Sequence, residues 1–157
     1  MVVIQPDKVH RITVDILKPQ LIIAEAAVDF VLTDPIKATR RTASSFILTS
    51  YPKRDVQYPH IVLSTVGDSG EAIDKREAMY EHQQSVRHQV LGTKTHCYNA
   101  ISGLNEFYQR KRLDLSALGL AEGKIVNTSD TIWLNDQQIH TQTITIQFII
   151  HSGYTAP

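Results

Sequence analysis

The stretch from Tyr58 to Gly70 constrains the fold of this chain most. Tyr58-Pro59-His60-Ile61-Val62-Leu63-Ser64-Thr65-Val66 is an apolar run opened by proline, and Gly67-Asp68-Ser69-Gly70 follows it. Proline is tolerated at the first residue of a strand, where its missing N–H need not break a ladder, and Gly, Asp and Ser favour turns. The pattern predicts a strand with both ends marked, closed by a four-residue turn.

Around that strand the chain divides into further elements. Val9, Ile12 and Ile16 recur at helical spacing between Asp7, placed as a cap, and Lys18-Pro19, placed as a stop. From Pro19 to Leu32 the pattern suits a second helical segment or, at Val28 to Leu32, a strand. Residues 33–45 turn polar and basic and predict a surface loop, after which Phe46 to Thr49 suits a strand. Tyr51 to Pro59 reads as a rigid connection.

After residues 71–77, a mixture rich in charge, Tyr80 to Gly92 predicts a long half-buried strand. Tyr80, Val86 and Val90 share one parity, while Glu81, Gln83, Ser85, Arg87 and Gln89 hold the other. Glu81 to Ser85 is polar at both parities, which suggests a part that projects from the core or meets another subunit. Thr93 caps the most regular helix, in which Cys97, Ile101, Leu104 and Tyr108 form a stripe flanked by Ala100 and Phe107. Arg110-Lys111-Arg112 places cations at its negative end, and the leucines around Gly119 suggest a short helical turn. Lys124 to Leu134 and Gln138 to Ile150 predict a closing hairpin with a two-residue turn at Asn135-Asp136. Residues 155–157 read as a frayed tail. Strands in runs, with the best helix between two hairpin-like pairs, predict an α+β fold. Its mainly antiparallel sheet would carry helices on one face of a single compact domain, residues 1–157, with 1–6 and 153–157 flexible.

Composition narrows the function classes. At 157 residues the chain suits one domain that needs no disulfide or metal staple. Its one cysteine, Cys97, fits a reducing compartment. Sixteen basic and 16 acidic residues cancel, so no whole-molecule field recruits nucleic acid or an acidic membrane. The longest mainly apolar run, Leu21 to Leu32, contains Glu25 and Asp29 and is shorter than the ~20 residues that span a bilayer. The N-terminus lacks the pattern of a secretion signal, so a cytoplasmic site of synthesis and use is expected.

Chemical motifs are few. Gly67-Asp68-Ser69-Gly70 matches the nucleophile turn of trypsin-like serine proteases, but Glu71 and Ala72 follow it, and no upstream catalytic framework of that kind fits this length. A small hydrolase using Ser69, or a His/Asp site assembled by the fold, is the alternative from that class. His82 and His88 share a strand face but stand ~20 Å apart along it, too far to share an ion. His96 and Cys97 are adjacent on a helix and diverge. Glu71 with Asp74, and Asp130 with Asp136, read as solvated charges. No phosphate-binding or dinucleotide glycine pattern occurs, so neither a cofactor nor a metal is expected. Lys37, Arg40, Arg41, Lys53 and Arg54 form a local basic set that could neutralise phosphates, and a nucleic-acid-binding module is the third reading.

The succession of elements carries a resemblance. An N-terminal amphipathic helix precedes the aromatic-proline strand start at Tyr58-Pro59-His60-Ile61-Val62 and Gly-Asp-Ser-Gly-Glu. A long polar-alternating strand from Gln83 to Leu91, the helix from Thr93 to Arg112 and a closing hairpin ending Thr143-Ile144-Thr145-Ile146-Gln147-Phe148 complete it. From Asp7 to Ser152 the pattern resembles the tail terminator, or tail-completion (neck), proteins of long-tailed bacteriophages and head-tailed archaeal viruses. The segment between Leu21 and Tyr51 is longer than in that pattern. The resemblance implies a non-enzymatic virion protein, assembled in the host cytoplasm, that forms a hexameric ring, caps the tail tube and joins it to the capsid neck. Its implied partners are further copies of itself, the tail-tube protein, a neck or head-completion protein, and DNA passing through the lumen without sequence-specific binding; no membrane is involved. Glu81, Gln83, Ser85, Arg87, Gln89, Asp68 and Glu71 are then expected at subunit or tube contacts, and Lys37, Arg40 and Arg41 at the lumen.

Overall fold

A computed structural model describes residues 2–26, 47–50, 59–72, 79–136 and 138–153. The order of elements is β1 (Val3–Ile4), a 3-10 helix (Pro6–Arg11), a π-helical turn (Thr13–Leu17), α1 (Lys18–Ala26), β2 (Ile47–Leu48), β3 (His60–Ala72) and β4 (Met79–Gly92). Then come α2 (Lys94–Arg110), α3 (Arg112–Ala117), β5 (Ala121–Thr128), β6 (Ile132–Leu134) and β7 (Ile139–Gly153). The fold is α+β, with a curled, mainly antiparallel sheet and its helices packed on one face.

β7 organises the sheet. One of its edges pairs antiparallel with β4 along the whole ladder, from Met79 opposite Gly153 to Gly92 opposite His140. Its other edge is shared by three short strands: β6 opposite residues 139–141, β5 opposite residues 144–149, and β1, parallel, opposite His151 and Ser152. β3 lies beyond β4, and β2 pairs parallel with the start of β3. Along β7 the even positions Ile144, Ile146, Phe148 and Ile150 are buried and the odd positions between them are half-buried. That alternation is what one covered sheet face requires.

The covering layer is held by the larger of two buried apolar clusters. Ile61, Val86, Val90, Ile146 and Phe148 from the sheet meet Cys97, Leu104 and Phe107 from α2 and Leu21 from α1. Each such side chain contributes roughly 1.5–3 kcal/mol by leaving water. Thr93 accepts a hydrogen bond from the His96 backbone N–H, while His96 Nδ1 accepts one from the Thr93 N–H, so α2 begins with a reciprocal cap.

Several expectations change. The 3-10 helix begins after Gln5, and Asp7 lies inside its first turn rather than at the cap. Lys18-Pro19 does not stop the helical path; Pro19 is the second residue of α1, which continues directly from the π-helical turn through Lys18. The π-helical turn adds a residue to the register, so Leu17 is buried and Ile16 is only partly so. Gly67 to Gly70 is not a closing turn: β3 runs through it to Ala72, with a bulge between Thr65 and Asp68. Gln84, expected in a projecting segment, is buried between two paired neighbours, and the exposed part is instead the far end of β3. The first arm of the last hairpin is split into β5 and β6; β6 ends at Leu134 and β7 begins at Ile139, with Gln138 before it at φ 52°. The basic loop at 33–45 and the connection at 51–58 lie outside the described residues, as do residues 27–32 and the tail at 154–157.

Candidate functional site

Among the described residues, the sheet face turned away from the larger core carries a repeating polar pattern. On β4, Glu81, Ser85 and Gln89 are half-buried and Gln83 and Arg87 exposed, while the alternate Gln84, Val86, His88 and Val90 face the core. β7 sets Thr143, Thr145, Gln147, Ile149 and His151 beside them as register partners of Gln89, Arg87, Ser85, Gln83 and Glu81. Gln89 Nε2 donates to Thr141 Oγ1 at 3.2 Å. Among the described residues, the polar side chains of this face point away from the larger core cluster. At one end a smaller apolar cluster of Val62, Leu91 and Ile139, with Leu48 and Leu134 against it, gives the face a dry margin.

The bulge in β3 decides what joins that face. Thr65 is opposite Val86 and Asp68 opposite Gln84, so Val66 and Gly67 together oppose Ser85. Gly67 takes φ +87° with nothing within 4 Å of where a Cβ would stand, a positive φ that glycine adopts without steric cost. The extra residue exchanges the faces of β3: Ile61 and Leu63 point into the core before it, and beyond it Glu71 is brought opposite Glu81 on the open face. Asp68, expected at the same contact surface, stands at the register position of Gln84 instead, outside the series that Glu81 to Gln89 forms.

Glu71, Glu81 and His151 therefore form a row across three strands, with Glu81 Oε2 3.3 Å from His151 Nε2. Like charges directly opposite each other on neighbouring strands repel. The row borders a shallow groove of about 330 Å³ that Gly70 and Gln83 also line.

A second groove, of about 360 Å³, lies at the other end of the β4–β7 ladder, where α2 begins. Trp133 packs against His140 with ring centroids 4.8 Å apart, and His96 and Lys94 complete one wall. Trp133 and Ile132 are 49% and 55% exposed, unusual for adjacent large apolar residues of a strand. Lys94 Nζ lies 5.9 Å over the Tyr98 ring. Because His96 Nδ1 accepts the capping bond, a neutral His96 carries its proton on Nε2, as a donor. Sequence reasoning passed over this groove; the signal was Ile132-Trp133-Leu134, apolar at both parities where a half-exposed strand needs only one.

The titratable groups of the core serve packing. His88 Nδ1 donates to the Val86 carbonyl at 3.2 Å, and His88 Nε2 accepts from the Tyr108 hydroxyl. Burial lowers the His88 pKa to about 4, against its two backbone hydrogen bonds, and raises that of Tyr108. Burial also pushes the Cys97 thiol up to about 11. His82 Nε2 lies 2.6 Å from Ser152 Oγ. Thus His82 and His88 are engaged separately, and among the described residues no three His, Cys, Asp or Glu side chains gather as a metal site.

The backbone at Ser69 is extended strand paired with Gln83, which differs from the sharp turn of a protease nucleophile. Lys37, Arg40, Arg41, Lys53, Arg54 and Asp74 lie outside the described residues. No helix among the described residues is long and apolar enough to cross a membrane. No protein-family model and no curated protein matches the chain.

Proposed function

We propose that this chain is a structural virion protein that assembles as a ring, hexameric by its resemblance to tail terminators, which ends the tail tube and joins it to the capsid neck. The observation that carries the reading is the open sheet face. It is a long, regular array of polar side chains on β4 and β7 with a dry margin, on a chain whose titratable core groups are engaged in packing. Interfaces between subunits combine such apolar patches with polar, hydrogen-bonding rims. On this reading Glu81, Gln83, Ser85, Arg87, Gln89 and Glu71 face neighbouring subunits or the tube. Lys37, Arg40 and Arg41 face the lumen, where DNA passes without being read.

Multi-angle light scattering and negative-stain microscopy of the purified chain, over a range of concentrations and with tail-tube protein added, test this. The expected outcome is a ring, formed alone or on the tube. A chain that stays monomeric under all these conditions removes the reading.

A further inference from the structure

Among the described residues, the grooves at the two ends of the long ladder carry charges of opposite sign. At one end Glu71 and Glu81 are paired across strands, with the His151 imidazole beside Glu81. At the other end α2 opens with Lys94 and has no acidic residue in its first turn, so a cation sits at the positive end of the helix dipole. None of the lining residues of the groove beside it is a carboxylate, and Trp133 offers a large, half-exposed ring. Each arrangement is unfavourable in an isolated chain and favourable once the other lies against it.

The two ends cannot meet within one molecule. From Glu81 to Gly92 along β4 is about eleven steps of ~3.3 Å, or ~36 Å. We infer that the acidic end of the β3–β4 pair of one subunit docks into the Trp133–Lys94 groove of a second copy of the same chain. The contact is head-to-tail, between two different patches, and such contacts close into rings or run on as filaments. It rests on the ring reading and supplies what that reading lacks, namely which surfaces meet. Lys94 and the His96 Nε2–H face the carboxylates of Glu71 and Glu81, while Trp133 packs beside Gln83 at the rim of the acidic groove. The open face between the two ends then lines the assembly.

Charge exchange tests the contact. Lys94→Glu places an acid at the first turn of α2, which favours the helix, so its melting temperature should hold or rise while self-association, followed by sedimentation velocity, weakens at least ten-fold. Glu71→Lys/Glu81→Lys should weaken it similarly. An equimolar mixture of the two variants should reassemble, because each reversed end then finds a reversed partner. A wild-type ring that is indifferent to Lys94→Glu, or a mixture that stays apart, overturns the contact and leaves the ring reading standing. A wild-type chain that is monomeric at every concentration overturns both.

Discussion

His88 shows how a single residue can set the acid sensitivity of this fold. It is fully buried on β4, its two ring nitrogens are satisfied by the Val86 carbonyl and the Tyr108 hydroxyl, and the Tyr108 ring meets it edge-on at 5.2 Å. Burial holds its folded pKa at about 4, below the ordinary 6.5. The unfolded chain therefore takes up a proton near pH 6.5 that the native chain refuses until about pH 4. Stability that is full above pH 6.5 is lost as pH falls through that window, by on the order of 3 kcal/mol. Urea titrations between pH 7 and 4 should show this slope, and His88→Gln, which keeps a donor and an acceptor, should flatten it by about one proton. An equally steep profile in the variant would place the acid sensitivity elsewhere. The position was legible from alternation alone: His88 shares the parity of Val86 and Val90. Its partner was not, because Tyr108 arrives from a helix twenty residues on, and periodicity shows which face a residue takes but not what it meets.

Among the elements, β3 separates what composition can reveal from what it cannot. Its proline entry and apolar run predict the strand, and His60 to Val66 forms one. Gly67-Asp68-Ser69-Gly70 suits a turn equally well by residue preference, yet the pairing of its backbone with β4 carries the strand through and reduces the glycine to a bulge. A longer ladder outweighed local preference. Gly67→Ala isolates the backbone cost, since a Cβ there meets nothing within 4 Å and only the positive φ resists it. The variant should lose about 1–2 kcal/mol in chemical denaturation, and no loss would mean that β3 readily takes another register. By contrast α2 was fully legible, because its Thr93 cap and its stripe of Cys97, Ile101, Leu104 and Tyr108 agree with the packing that buries them. β1 was not, since two residues carry no period; nor was the π-helical turn that moves Leu17 into the core in place of Ile16.

Across the whole molecule, stability should fall outward from β7, which is paired on both edges, to the far end of β3, where Thr65 to Gly67 and Gly70 to Ala72 are exposed. Hydrogen exchange should protect the amides of residues 144–150 longest and release those of residues 66–72 first in the isolated chain. Protection of residues 66–72 on self-association would follow from the contact proposed above, and uniform exchange across the sheet would contradict the gradient. The sheet order itself was only partly legible: the sequence pattern placed the closing hairpin, but which strands share an edge of β7 depends on register between distant segments. That sharing has a consequence for how the chain is made. Val3 pairs with His151, and β4 finds its second neighbour only in β7, so a ribosome releases residues 60–92 well before the strand that completes their sheet. β3 and β4 can pair early, and α1 and α2, which cover the core face of that pair, are both made before β7, but the edge of β4 that β7 fills waits unpaired for a segment still to be translated. Folding therefore closes after synthesis of the last strand, and a chain truncated before residue 139 would leave that strand edge open to chaperones and to other nascent chains.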